Sequence, residues 1–85
     1  MRTFEYTITD EIGIHARPAG LLAKEGKNFT SKVAICKGDK SADIQRLMAI
    51  MGLGVKCGET VTVEISGDDE DAAYEAMLKF FQENL

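Results

Sequence analysis

Tryptophan is missing from these 85 residues, and histidine and proline occur once each, as His15 and Pro18. Cysteine occurs only at positions 36 and 57, without the C-x-x-C spacing of a metal site or redox pair. Both cysteines read as small buried hydrophobes in a reducing compartment, with a disulfide between them as the lesser alternative. Basic residues are in deficit: 10 Lys and Arg against 14 Asp and Glu leave a net charge of −4 and a pI near 4.9. That balance excludes generic binding to nucleic acid, which needs a surplus of cations to displace counterions, and leaves room only for a local basic patch. Long apolar runs are also missing. The longest, Leu47 to Val55, is broken by Gly52 and Gly54, so membrane insertion is not expected. The first ten residues alternate and include Glu5 and Asp10, unlike a signal peptide, so the expected location is the cytoplasm. No P-loop or dinucleotide fingerprint supports an ATP-consuming enzyme.

What is present is a core. Hydrophobic residues make up 45% of the chain, with no repeat, low-complexity tract or linker, so residues 1–85 read as one domain. Residues 2–9 alternate, with Phe4, Tyr6 and Ile8 on one face of a half-buried strand. Lys32 to Lys37 and Lys40 to Asp43 read as two strands joined by a tight turn at Gly38-Asp39, and Thr60 to Ser66 as the clearest strand of all. A helix over residues 16–27 carries a small-residue stripe of Ala19, Leu22, Ala23 and Gly26. Opposite it lie Arg17, Gly20, Leu21, Lys24 and Lys27, a cationic face with a leucine that folding does not need there. Ile44 to Met51 reads as a short helix whose Leu47, Met48, Ile50 and Met51 are too many apolar side chains for two turns to bury, so some should be exposed for partners. The last helix follows the acidic turn Gly67 to Asp71 and buries Ala73, Ala76, Met77, Phe80 and Phe81. Strands with one apolar face and helices with one apolar stripe pack most economically as an α+β open-faced sandwich. Its four-stranded, mainly antiparallel sheet would carry three helices on one side.

Chemistry concentrates in Gly13-Ile14-His15-Ala16-Arg17-Pro18-Ala19. Proline is tolerated in a first helical turn because its missing N–H has no intrahelical partner there, so Pro18 marks a helix start between residues 16 and 18. The mouth of that helix favours an anion and disfavours an extra proton on His15. A neutral imidazole has a ring nitrogen lone pair that can attack phosphorus, and Arg17 can neutralise the phosphoryl group with a planar fork of donors. The heptapeptide alone is equally compatible with a histidine that merely caps a loop. A metal site built from His15, Cys36 and Cys57 fits no standard ligand spacing.

The heptapeptide, Gly38 to Lys40, the run Leu47-Met48-Ala49-Ile50-Met51-Gly52-Leu53-Gly54 and Ser66-Gly67 before an acidic helix together resemble the histidine-containing phosphocarrier (HPr) family of the bacterial sugar phosphotransferase system. The resemblance spans about residues 2–84. It implies a non-enzymatic relay without a cofactor: enzyme I, charged from phosphoenolpyruvate, passes a phosphoryl group to Nδ1 of His15, and the carrier hands it to the IIA domains of sugar permeases. Arg17 would balance its charge, and the helix start, Ala16, Arg17 and Pro18, would cradle its oxygens through backbone amides. The family's docking surface maps onto Gly20, Leu21, Lys24, Lys27, Leu47, Met48 and Met51. A monomer is expected. One position departs from the pattern, because Arg46 stands where many relatives carry a serine that a kinase phosphorylates. Arginine has no hydroxyl to modify, and Arg46 is expected to add charge to the docking surface. The alternative is a regulatory HPr-like paralogue that docks protein partners without serving sugar transport. A generic interaction module would leave Arg17 and the lysine face unexplained.

Overall fold

The computed structural model describes residues 1–14 and 16–85; His15 lies outside the described residues. Among the described residues seven elements follow in chain order: β1 (Arg2–Thr7), α1 (Ala16–Gly26), β2 (Lys32–Lys37), β3 (Lys40–Asp43), α2 (Leu47–Gly52), β4 (Thr60–Ser66) and α3 (Glu70–Asn84). The sheet runs in the order β1-β4-β2-β3 and every pairing is antiparallel, where the sequence led us to expect only a mainly antiparallel sheet. In register, Phe4 faces Val63 and Ile35 faces Val63 from the other side, so the inward residues of three strands meet in one row.

Alternation sets which face is buried. Val33, Ile35, Val61, Val63 and Ile65 all point into the core with Phe4 and Ile8, while Thr3, Glu5, Thr7 and Thr60 face outward. The helices cover the inward face. α3 supplies Ala73, Met77 and Phe81, and Phe81 sits edge-on to Phe4 and Tyr6 at centroid distances of 5.6 and 5.5 Å. Ala76 and Phe80, expected on the same stripe, are only half-buried because they lie at its margins. α1 supplies Pro18, Ala19, Leu22 and Gly26; Ala23 is half-buried. A Cβ on Gly26 would come within 2.6 Å of Ile44 Cδ1, so glycine lets the end of α1 close onto the segment that leads into α2.

The helices α1 and α2 end within one residue of the sequence reading, and two other boundaries differ by more. β1 ends at Thr7 rather than residue 9, because the amides of Thr9 and Asp10 turn to the Leu85 carbonyl instead of a strand. α2 begins at Leu47 rather than Ile44. The Asp43 side chain accepts the Gln45 N–H at 2.8 Å and its carbonyl accepts the Arg46 N–H at 3.0 Å, a local turn that competes with helix.

Candidate functional site

The chain on both sides of position 15 is tightly held. Asp10 closes the preceding turn, accepting the Ile12 N–H at its carboxylate (2.9 Å) and the Gly13 N–H at its carbonyl (3.0 Å). Gly13 has φ +81° and lies directly against the Val55 carbonyl and Lys56 Cα, where any Cβ would collide with backbone. Ile14 is buried and donates its N–H to the Val55 carbonyl at 3.0 Å. On the other side α1 starts at Ala16, as Pro18 predicts. Pro18 is buried and carries no N–H, so it sets the helix start but cannot donate to a phosphoryl oxygen; the free donors of that turn belong to Ala16 and Arg17.

Arg17 is exposed and opens onto a cleft of about 380 Å³ between the start of α1 and the end of α3. Pro18 and Leu21 form its α1 wall, and Asp10, Ile12, Glu83 and Asn84 complete it. Glu83 and Asn84 escaped the sequence reading of this site, because only folding brings the end of α3 to the start of α1.

Beside the cleft lies the surface that composition singled out. Leu21 is 43% exposed, Leu47 38%, Met51 38% and Met48 78%, whereas Ile50, in the same short helix, is fully buried. Lys24 and Lys27 of the α1 region are exposed and Gly20 is half-buried among them. α1 and α2 pack against one another, so these cations and apolar side chains share one side of the molecule. Arg46 is exposed at the N-cap of α2 with extended backbone (φ −106°, ψ 92°). Its guanidinium is a donor only and cannot accept from the orphan N–H groups of the helix, a role that serine fills well.

The cysteines are not both buried, contrary to the sequence expectation. Cys57 is exposed in the turn before β4, with its thiol 3.7 Å from the Thr9 carbonyl. Cys36 is half-buried on the open sheet face and donates to Glu64 at 3.4 Å; burial, then that carboxylate, raises its pKa. Both thiols are free. Among the described residues no cluster of metal-ligating side chains occurs, and no helix is long and apolar enough to cross a membrane.

An antiparallel sheet covered on one face by three helices, with exposed cations and apolar side chains together on one side, defines an open-faced sandwich. A family model described as the PTS HPr component phosphorylation site matches residues 2–83, and the chain belongs to that HPr phosphocarrier family. The phosphocarrier protein HPr of Mycoplasma capricolum subsp. capricolum is 38% identical over 77 residues, 91% of this chain and 86% of that protein. The HPr-like protein Crh of Halalkalibacterium halodurans is 37% identical over 70 residues, 82% of this chain and 83% of that one. The crystal structure of an HPr from Thermoanaerobacter tengcongensis superposes with a TM-score of 0.90 at 33% identity, covering 96% of this chain and 92% of that one.

Proposed function

We propose that this protein is a cytoplasmic, single-domain phosphoryl carrier that accepts a phosphoryl group on His15 from enzyme I and passes it to IIA domains of sugar permeases. The observation that carries this reading is the placement of position 15 in the chain, directly before α1 and two residues from the exposed Arg17, in a member of the HPr family. In the transfer, the His15 Nδ1 lone pair forms a bond to phosphorus while the bond from phosphorus to its donor breaks, and the donor keeps that electron pair. Handing on to a IIA domain reverses the roles, so the carrier is regenerated and is not itself an enzyme. Both partners hold the group at comparable energy, and the carrier supplies position and charge balance: Arg17 by its guanidinium, the amides of Ala16 and Arg17 by donation. Gly20, Leu21, Lys24, Lys27, Arg46, Leu47, Met48 and Met51 form the surface on which the two partners dock in turn, as a monomer.

Incubation with enzyme I and phosphoenolpyruvate tests the reading. An acid-labile phosphoryl group that is absent from His15→Ala is expected, followed by transfer to a IIA domain. A chain that docks enzyme I without taking label would instead be a regulatory paralogue, the reading that Arg46 and the likeness to an HPr-like protein favour next.

A further inference from the structure

The peptide unit between Val55 and Lys56 is held from both ends. Its carbonyl accepts the Ile14 N–H at 3.0 Å, and its N–H donates to Glu59 Oε1 at 2.7 Å. Glu59 is itself held by Lys37, whose ammonium lies 3.1 Å from the same oxygen. The Lys37 ammonium also donates to the carbonyls of Gly54 (3.0 Å) and Leu53 (3.4 Å), the last groups of the α2 turn. α2 has no basic residue of its own in its last turn, so Lys37 reaches across from the end of β2 to supply the cation that a helix C-terminus favours. Three backbone groups of residues 54–56, the carbonyls of Gly54 and Val55 and the Lys56 N–H, are thereby tied into one chain of contacts that ends on Ile14, the neighbour of His15. A charged acceptor on the N–H polarises the peptide and strengthens its carbonyl as an acceptor at the far end. The Glu59 carboxylate titrates below its ordinary range, first because of the Lys56 N–H and then because of Lys37.

We infer that Lys37 and Glu59 are positioning residues for position 15: they orient the Val55–Lys56 peptide, whose carbonyl fixes Ile14 and so the approach of the chain to the phosphoryl-accepting residue. The inference rests on the carrier reading for its functional consequence, but the orientation can be read without enzyme I. Neither residue lies on the surface assigned to docking, so its loss affects turnover, whereas loss of a docking side chain affects KM.

Amide hydrogen exchange on the full chain provides the direct test. Glu59→Ala should accelerate exchange of the Ile14 amide about tenfold, in line with losing one charge-assisted contact, while Val63 and Ile65 in β4 keep their protection. Glu59→Gln retains an acceptor for the Lys56 N–H and should restore most of the protection. Lys37→Met should fall between the two and Lys37→Arg should rescue it. With enzyme I and phosphoenolpyruvate, Glu59→Ala should lower kcat severalfold with KM within twofold. Unchanged Ile14 exchange in a folded Glu59→Ala protein, or unchanged kcat in a parent that accepts phosphate normally, overturns the inference. A parent that accepts no phosphate overturns the carrier reading, and the Ile14 exchange still decides the orientation.

Discussion

Met48 and Ile50 stand two positions apart on α2, one 78% exposed and the other fully buried, so truncating each to alanine separates docking from folding. Covering a methionine side chain completely is worth about 1.5–3 kcal/mol, and most of Met48 is still available for a partner to cover. Its burial in a complex therefore contributes about 1–2 kcal/mol, which predicts that Met48→Ala weakens binding to enzyme I by about 5- to 30-fold. Nothing in the fold depends on that side chain, so the thermal midpoint should move by no more than about 2–4 °C. Ile50→Ala should behave in the opposite way. A cavity in the core costs about 2–5 kcal/mol, a large part of the roughly 4–13 kcal/mol that stabilises a chain of this size. Titration calorimetry with enzyme I, paired with thermal unfolding of the free variants, measures both quantities. Binding of Met48→Ala within twofold of the parent would refute the assignment of α2 to docking. Equal loss of thermal stability in both variants would refute the division of that helix into an inner and an outer side.

Gly13→Ala should lower stability by about 1–3 kcal/mol from its positive φ alone, with a further loss from the collision against the Val55–Lys56 backbone; a thermal midpoint within 2 °C of the parent would show that the turn can yield. Asp69, at the start of α3, turns its carboxylate to the α1–β2 loop, where it accepts the N–H groups of Thr30 (2.9 Å) and Ser31 (2.8 Å) and the Ser31 hydroxyl. Those bonds, the Ser31 hydroxyl first, lower its pKa from 3.8 to about 2. A depressed carboxylate stabilises the fold fully above its unfolded pKa and loses that contribution as pH falls through the folded one. The urea midpoints of parent and Asp69→Asn should therefore differ at pH 6 and converge between pH 4 and pH 2, and a gap that is constant with pH would count against the assignment. Arg46 has no hydroxyl, so a serine kinase of the phosphotransferase system should place no phosphoserine on this chain, and label on Ser41 would contradict that expectation. Arg46→Ser should bind enzyme I more weakly at low salt if the guanidinium contributes charge to docking, and equal binding would remove Arg46 from that surface.

Much of the architecture was legible because it is written in short-range patterns. Alternation in residues 32–37 and 60–66 marks strands whose buried faces match it residue by residue, and Pro18 places the start of α1. The surplus of apolar residues in α2 anticipated that some of Leu47, Met48, Ile50 and Met51 would stand exposed, and all but Ile50 do. Legibility failed where a side chain competes with the backbone or reaches far along the chain. Asp43 delays α2 by bonding to Gln45, a contest that hydrophobic periodicity does not register. Cys57 looks like a core residue by type but sits in a turn closed by the Gly58 N–H on the Ile8 carbonyl. Lys37 and Glu59 gave no local signal at all, and Asp69 showed only as part of the acidic turn before α3. Their partners appear only in the fold, and no spacing rule could have paired Glu59 with Lys37 or Asp69 with Ser31.

The sheet order carries a consequence for how the molecule comes into being during synthesis. β1 is the first strand to be made, yet its sole neighbour in the sheet is β4, which reaches to Ser66; Arg2 must wait for Ile65. β4 is also the strand that joins β1 to the hairpin of β2 and β3. A nascent chain that stops short of Thr60 can pair only that hairpin, and a two-stranded hairpin is marginal in water. The aromatic side chains of β1 stay without a cover until both β4 and α3 arrive, and α3 ends at Asn84. Folding of residues 1–85 is thus postponed until α3 has been made and then takes place as one event, at the slower rates typical of sheets closed by distant strands.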